Sequence, residues 1–127
     1  MAIELPSLLE RFIFQCIPTL QAAEVLLLVA AHPERDFSAE DIVVLIRPTV
    51  VTASAVLEYM ALLQGSHIVT ASDGTFRYTA ATGELEAVIA ELRRTYNERP
   101  VTLIAAIYRI ADSRIQSFAD AFKLRRD

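Results

Sequence analysis

Apolar residues recur at helical spacing along most of the chain and alternate clearly only between His67 and Thr79. Leu8, Leu9, Phe12, Ile13 and Cys16 form a first stripe in the three- and four-residue steps of an amphipathic helix. Ser7 followed by Glu10 has the pattern of a capping box, and Pro18 ends the segment. A second helix, from about Leu20 to Ala31, is apolar nearly all round, as suits the centre of a bundle. After the polar stretch His32-Pro33-Glu34-Arg35-Asp36, Ser38 opens a third helix with Glu40 and Asp41 in its first turn. Ile42, Leu45 and Ile46 are its inward positions, and Pro48 stops it. A fourth helix starts from Thr52, with Thr49 the other candidate cap. Its buried stripe is Val56, Met60 and Leu63, and Gly65 is placed to end it.

Asp73-Gly74 between two alternating runs predicts a hairpin, because both residues tolerate the positive φ of a type I′ turn. The turn pairs Ala71 with Phe76 and Val69 with Tyr78 on the core side, and Thr70 with Arg77 on the other. Thr82 caps a long helix to about Asn97, with Leu85, Val88, Ile89, Leu92 and Tyr96 on one stripe. Pro100 suits the first turn of a last helix. In it Ile104, Tyr108, Ala111, Ile115, Phe118 and Phe122 form a heptad seam if the helix is continuous. Ser113 with Gln116 allows a break near Asp112 instead. The expected architecture is mainly α with a small β-hairpin wing: a winged helix-turn-helix over 19–80, an N-terminal helix over 1–18 and C-terminal helices over 81–127, all in one domain.

At 127 residues, 54% hydrophobic and 22% charged, the chain is too apolar to be disordered and long enough for one core. No apolar run approaches the ~18 residues of a membrane span; the longest is Val25 to Ala31. The acidic start, without an early basic cluster, is unlike a secretory signal, so a cytoplasmic, bacterial-type protein with no membrane partner is expected. Charge is unevenly placed. Residues 1–76 hold three bases and nine acids, a net charge of −6; residues 77–127 hold nine bases and seven acids, a net charge of +2. Non-specific DNA affinity comes mostly from neutralised phosphates, so the helix-turn-helix half has the wrong sign for it.

Ser38-Ala39-Glu40-Asp41-Ile42 has the form of the opening helix of a helix-turn-helix, and Thr52-Ala53-Ser54-Ala55-Val56 that of the start of a recognition helix. Met60, Leu63, Ile68 and Val69 follow the passage from that helix into the wing. In these residues the chain resembles the MarR-like winged-helix superfamily of bacterial transcriptional regulators. The resemblance covers roughly residues 20–80 and implies a regulator that binds DNA as a homodimer through helices outside the wing. It departs where DNA would be touched: Glu58 stands where an Arg is common, Leu57 where Ser or Thr is, and His67 where a glycine precedes the wing strand. From Thr52 to Gly65 there is no Lys or Arg.

The expected nucleic-acid or partner-binding residues are Thr52, Ser54, Ala55, Glu58 and Tyr59, with Arg77 as a phosphate contact or a solvated strand residue. Two functions stay open: a dimeric, transcription-related regulator with weak DNA contact, or a module that no longer binds DNA and meets a basic protein through Glu40, Asp41 and Glu58. The dimer interface is expected at Ile104, Tyr108, Ala111, Ile115, Phe118 and Phe122, since aromatics one turn apart make good interface anchors. Folding this seam back onto Leu5–Cys16 is its other use. Cys16 reads as a small core residue and His67 as a strand-end residue. Neither joins His32 at metal-ligand spacing, so no metal or cofactor is expected. No nucleophile–base set, phosphate loop or carboxylate pair argues for an enzyme. Lys123, Arg125 and Arg126 form a basic tail.

Overall fold

Hydroxyl caps set the starts of four helices. Oγ of Ser38 and Oγ1 of Thr19, Thr52 and Thr82 each accept a bond of 3.0–3.1 Å from the backbone N–H three residues on. The computed structural model describes residues 5–80 and 82–125, with side chains as far as Ser113. Its elements in chain order are α1 (Ser7–Cys16), α2 (Leu20–Ala31), α3 (Ala39–Leu45), α4 (Ala53–Gly65), β1 (Val69–Ser72), β2 (Thr75–Tyr78), α5 (Gly83–Glu98) and α6 (Pro100–Arg125). The protein is thus mainly helical with a small antiparallel hairpin. At Ser38 the capping box is complete: the Asp41 carboxylate accepts the Ser38 N–H at 3.1 Å.

The box expected at Ser7 does not form. Pro6 is the N-cap, no side chain caps it, and Ser7 lies inside the helix. Glu10 instead accepts a 2.6 Å bond from Arg109 on α6, an ion pair that ties α1 to the last helix. Leu8, assigned to the buried stripe, is 56% exposed, while Leu9, Phe12, Ile13 and Cys16 are buried.

α2 is the central helix. Ala23, Val25, Leu26 and Val29 have no exposure, and α4, α5 and β2 pack around them. α3 and α4 pack on each other through a connection containing a cis Arg47–Pro48 bond. Ile42 is fully buried as expected, but Leu45 turns outward, and Val56, Met60 and Leu63 fill the stripe of α4. The hairpin has the register the turn dictates: Val69 with Tyr78, Thr70 with Arg77, Ala71 with Phe76. Asp73 and Gly74 both have positive φ, at 51° and 80°. Val69 and Phe76 are buried, Tyr78 is half-buried, and Ala71 beyond them is exposed. One contact was not legible in the pattern. Phe37 and Phe76 exchange both backbone hydrogen bonds at 2.8 Å, so the segment before α3 lines the free edge of β2.

α4 ends at Gly65, as expected, but the glycine is not its left-handed cap. Gly65 is an ordinary helical residue, and the left-handed position falls on His67, at φ 63°. The His67 N–H reaches the Gln64 carbonyl at 3.1 Å and the Ile68 N–H reaches that of Leu63 at 2.9 Å. These are the two bonds of a Schellman motif, with the buried Leu63 and Ile68 as its apolar pair.

α6 runs unbroken from Pro100 to Arg125, which settles the question at Asp112. Its 26 residues span about 39 Å at ~1.5 Å per residue. Leu103, Ala106, Ile107 and Ile110 face the core, and the helix packs on α1 and α5. Among the described residues no single helix is long and apolar enough to cross a membrane.

Candidate functional site

The exposed side of α4 is built by exclusion. Val56, Met60 and Leu63 turn one face into the core, so Ser54, Leu57, Glu58 and Ala61, related by three- and four-residue steps, lie on the other. Of the residues expected to touch a ligand, Ser54 and Glu58 are exposed there. The others carry structural roles. Oγ1 of Thr52 accepts the Ala55 N–H at 3.0 Å as the helix cap, and Ala55 is half-buried. Tyr59 is half-buried, and its phenol oxygen accepts a 3.0 Å bond from the Thr19 hydroxyl at the start of α2.

Arg77 projects from the polar face of the hairpin, but it is not a free cation. Its Nε donates to Asp36 Oδ1 at 2.9 Å and its Nη2 to Oδ2 at 3.3 Å, a two-pronged pair. Such a pair cancels the charge a phosphate would seek, although both side chains are about half exposed. Asp41 stays ionised: hydrogen bonds from the Ser38 backbone N–H and hydroxyl hold its carboxyl below the usual range, with Arg35 adding to the same effect.

Four large apolar residues of this region stand in solvent: Val44 (55% exposed), Leu45 (43%), Val50 (86%) and Leu57 (50%). They run from the end of α3, through the connection, to the second turn of α4. Periodicity placed Leu45 inward and gave no role to the others. Two signals were present: Leu57 lies off the Val56–Met60–Leu63 stripe, and Val50 follows Pro48 in a segment with no helical face to hide it.

The underside of the same region is tied to the C-terminal helices by one carboxylate. Glu24 Oε2, on α2, accepts bonds from Thr49 in the α3–α4 connection at 3.1 Å and from the Tyr96 hydroxyl on α5 at 2.7 Å. The bond to Glu24, aided by burial, raises the Tyr96 phenol above its ordinary pKa. Arg93 adds a 3.2 Å bond to the Leu27 carbonyl.

On α6 the expected interface residues sit beside the core-facing stripe. Ile104 and Ala111 are half-buried, Tyr108 is 66% exposed, and Val101 near them is 78% exposed. Ile115, Phe118 and Phe122 lie outside the described side chains, as do the basic residues of the tail. A groove of about 520 Å³ separates α1 from α5, lined by Leu8, Phe12, Leu85 and Val88 with Arg11 and Arg94 among its polar residues. Arg94 pairs with Glu91 there. Cys16 is buried, with its thiol 3.3 Å from the Ser66 hydroxyl. Among the described residues no group of three or more His, Cys, Asp or Glu is placed to hold a metal ion. Comparisons with protein-family models, curated proteins and solved structures find no match for this chain.

Proposed function

We propose that this chain is a winged-helix regulatory protein, transcription-related and homodimeric, in which α4 is the recognition helix and the β1–β2 hairpin the wing. The observation that carries the reading is the order and packing of the unit: a Ser38-capped α3 against a Thr52-capped α4, then a hairpin in fixed register whose second strand is braced by Phe37. Dimerisation is supported by Tyr108 and Val101, large apolar residues of α6 left exposed, with Ile104 and Ala111 half-buried beside them. Sedimentation tests it: a dimer is expected at tens of micromolar, with Tyr108→Glu a monomer that stays folded. A wild-type monomer at that concentration removes the dimer.

A second reading, that α4 meets a protein and not DNA, is favoured by the pairing of Arg77 with Asp36 and the absence of Lys and Arg from α4. Binding of the dimer to random duplex libraries at low salt separates the two. Selection of a palindrome with half-sites about one helical turn apart supports DNA recognition; no enrichment supports the protein reading.

A further inference from the structure

The apolar residues and acids of the α3–α4 surface and the paired wing cation beside it suit one kind of partner. We infer that this surface docks a basic amphipathic protein segment, with apolar side chains seated on Val44, Leu45, Val50 and Leu57 and Lys or Arg at the rim against Glu40, Asp41 and Glu58. The inference rests on the protein-binding reading of α4 given above, and adds the apolar seat that makes the basic partner an amphipathic segment.

Single exposed hydrophobics are ordinary, but four within fourteen residues, all between 43% and 86% exposed, on two helices that pack together and the connection between them, form a concentration that a surface in water seldom leaves uncovered. DNA does not fit such a surface: phosphates need donors, and Val44, Leu45, Val50 and Leu57 supply none. A protein side chain does, because each apolar contact removes area from water on both partners. The sign of the partner follows from the charges of α3, its connection and α4: three carboxylates, Glu40, Asp41 and Glu58, all exposed, against the one guanidinium of Arg47. Hydrogen bonds from Ser38 favour the ionised form of Asp41. Nearby Arg77 does not redress it, being paired to Asp36. An acidic segment would bring like charges together; a basic one gains steering and register from them.

The test is a titration of the isotope-labelled protein, followed by amide NMR, with two synthetic helices of equal length: one of leucine and lysine, one of leucine and glutamate. The lysine helix is expected to shift amides between 44 and 61, to weaken as salt rises, and to lose about tenfold or more in affinity on Leu57→Ser. Glu58→Lys is expected to weaken it also, while Val101→Ser on α6 leaves it unchanged. Circular dichroism of each variant shows that it is folded, and Leu57 and Glu58 are exposed enough to change without unfolding the helix. If the glutamate helix binds this face equally well, the chemistry assigned to the partner is wrong although a protein face remains. If neither helix shifts 44–61, or a DNA duplex does so at low salt, the protein reading itself fails.

Discussion

Replacing His67 by glycine should stabilise the protein, and the reason is local. His67 is the C′ residue of the Schellman motif that ends α4, with φ at 63°. An L-residue in that conformation carries a cost of about 1–2 kcal/mol from the crowding of Cβ against the carbonyl. Glycine removes it but adds about 0.5–1 kcal/mol of unfolded-chain entropy. The expected net gain is therefore about 0.5–1 kcal/mol, or roughly 2–5 °C in Tm for a chain of this size. The His67 side chain is exposed, so its removal uncovers little packing. Urea unfolding followed by circular dichroism reads the effect as a higher midpoint with an unchanged slope. His67→Ala is the control, since it deletes the imidazole and keeps the strained φ. If alanine stabilises as much as glycine, or glycine destabilises, the left-handed assignment is wrong. Gly65 makes the complementary case. It is helical, and a methyl group built on it meets nothing within 4 Å, so Gly65→Ala should gain about 0.5 kcal/mol from helix propensity.

Other outcomes follow from the same geometry. Met60 has no exposure in the core, so Met60→Ala should cost about 2–5 kcal/mol in the same unfolding assay. Tyr96→Phe removes the bond to Glu24 and should cost about 1 kcal/mol, less than the ~1.5–3 of a fully buried charged bond because the phenol is only half-buried. The raised Tyr96 phenol means that its contribution is complete below the ordinary value near 10 and is lost as pH rises from there through the folded value; Tyr96→Phe should flatten that alkaline loss. Asp41 has the opposite sign: its lowered carboxyl stabilises the fold above the ordinary value near 3.8 and ceases to as pH falls through the folded one. Asp41→Asn should shallow the acid limb, and identical acid limbs would remove Ser38–Asp41 as its source.

Legibility in the sequence tracked the range of the physics. The hairpin register came from Asp73-Gly74 alone, and the caps at Ser38, Thr52 and Thr82 from residues three apart. Where a residue had a distant competitor, local pattern misled. Glu10 has the spacing of a capping partner for Ser7, but Arg109, ninety-nine residues away, holds it. Gly65 looked like the helix terminator because glycine tolerates positive φ, yet the apolar pair Leu63–Ile68 fixed the motif two residues later and placed the strain on a histidine. The candidate site was legible in its charge and not in its exposure. Leu45 fits the inward stripe of a long helix, but α3 has seven residues and ends at Leu45 itself, so no following turn covers it.

The placement of α1 has a consequence in time. Leu9, Phe12, Ile13 and Cys16 find their cover on α4, α5 and α6, all of which are made later. At roughly 5–20 residues per second, a ribosome needs about 5–20 s to proceed from α1 to the core-facing stripe of α6. During that interval α2, α3, α4 and the hairpin can close around local contacts, while the part of the first helix that α5 and α6 cover waits open. The growing chain is therefore most exposed to chaperones, proteases and mispairing at its beginning, and a defect in the last helix is felt first by the one made earliest.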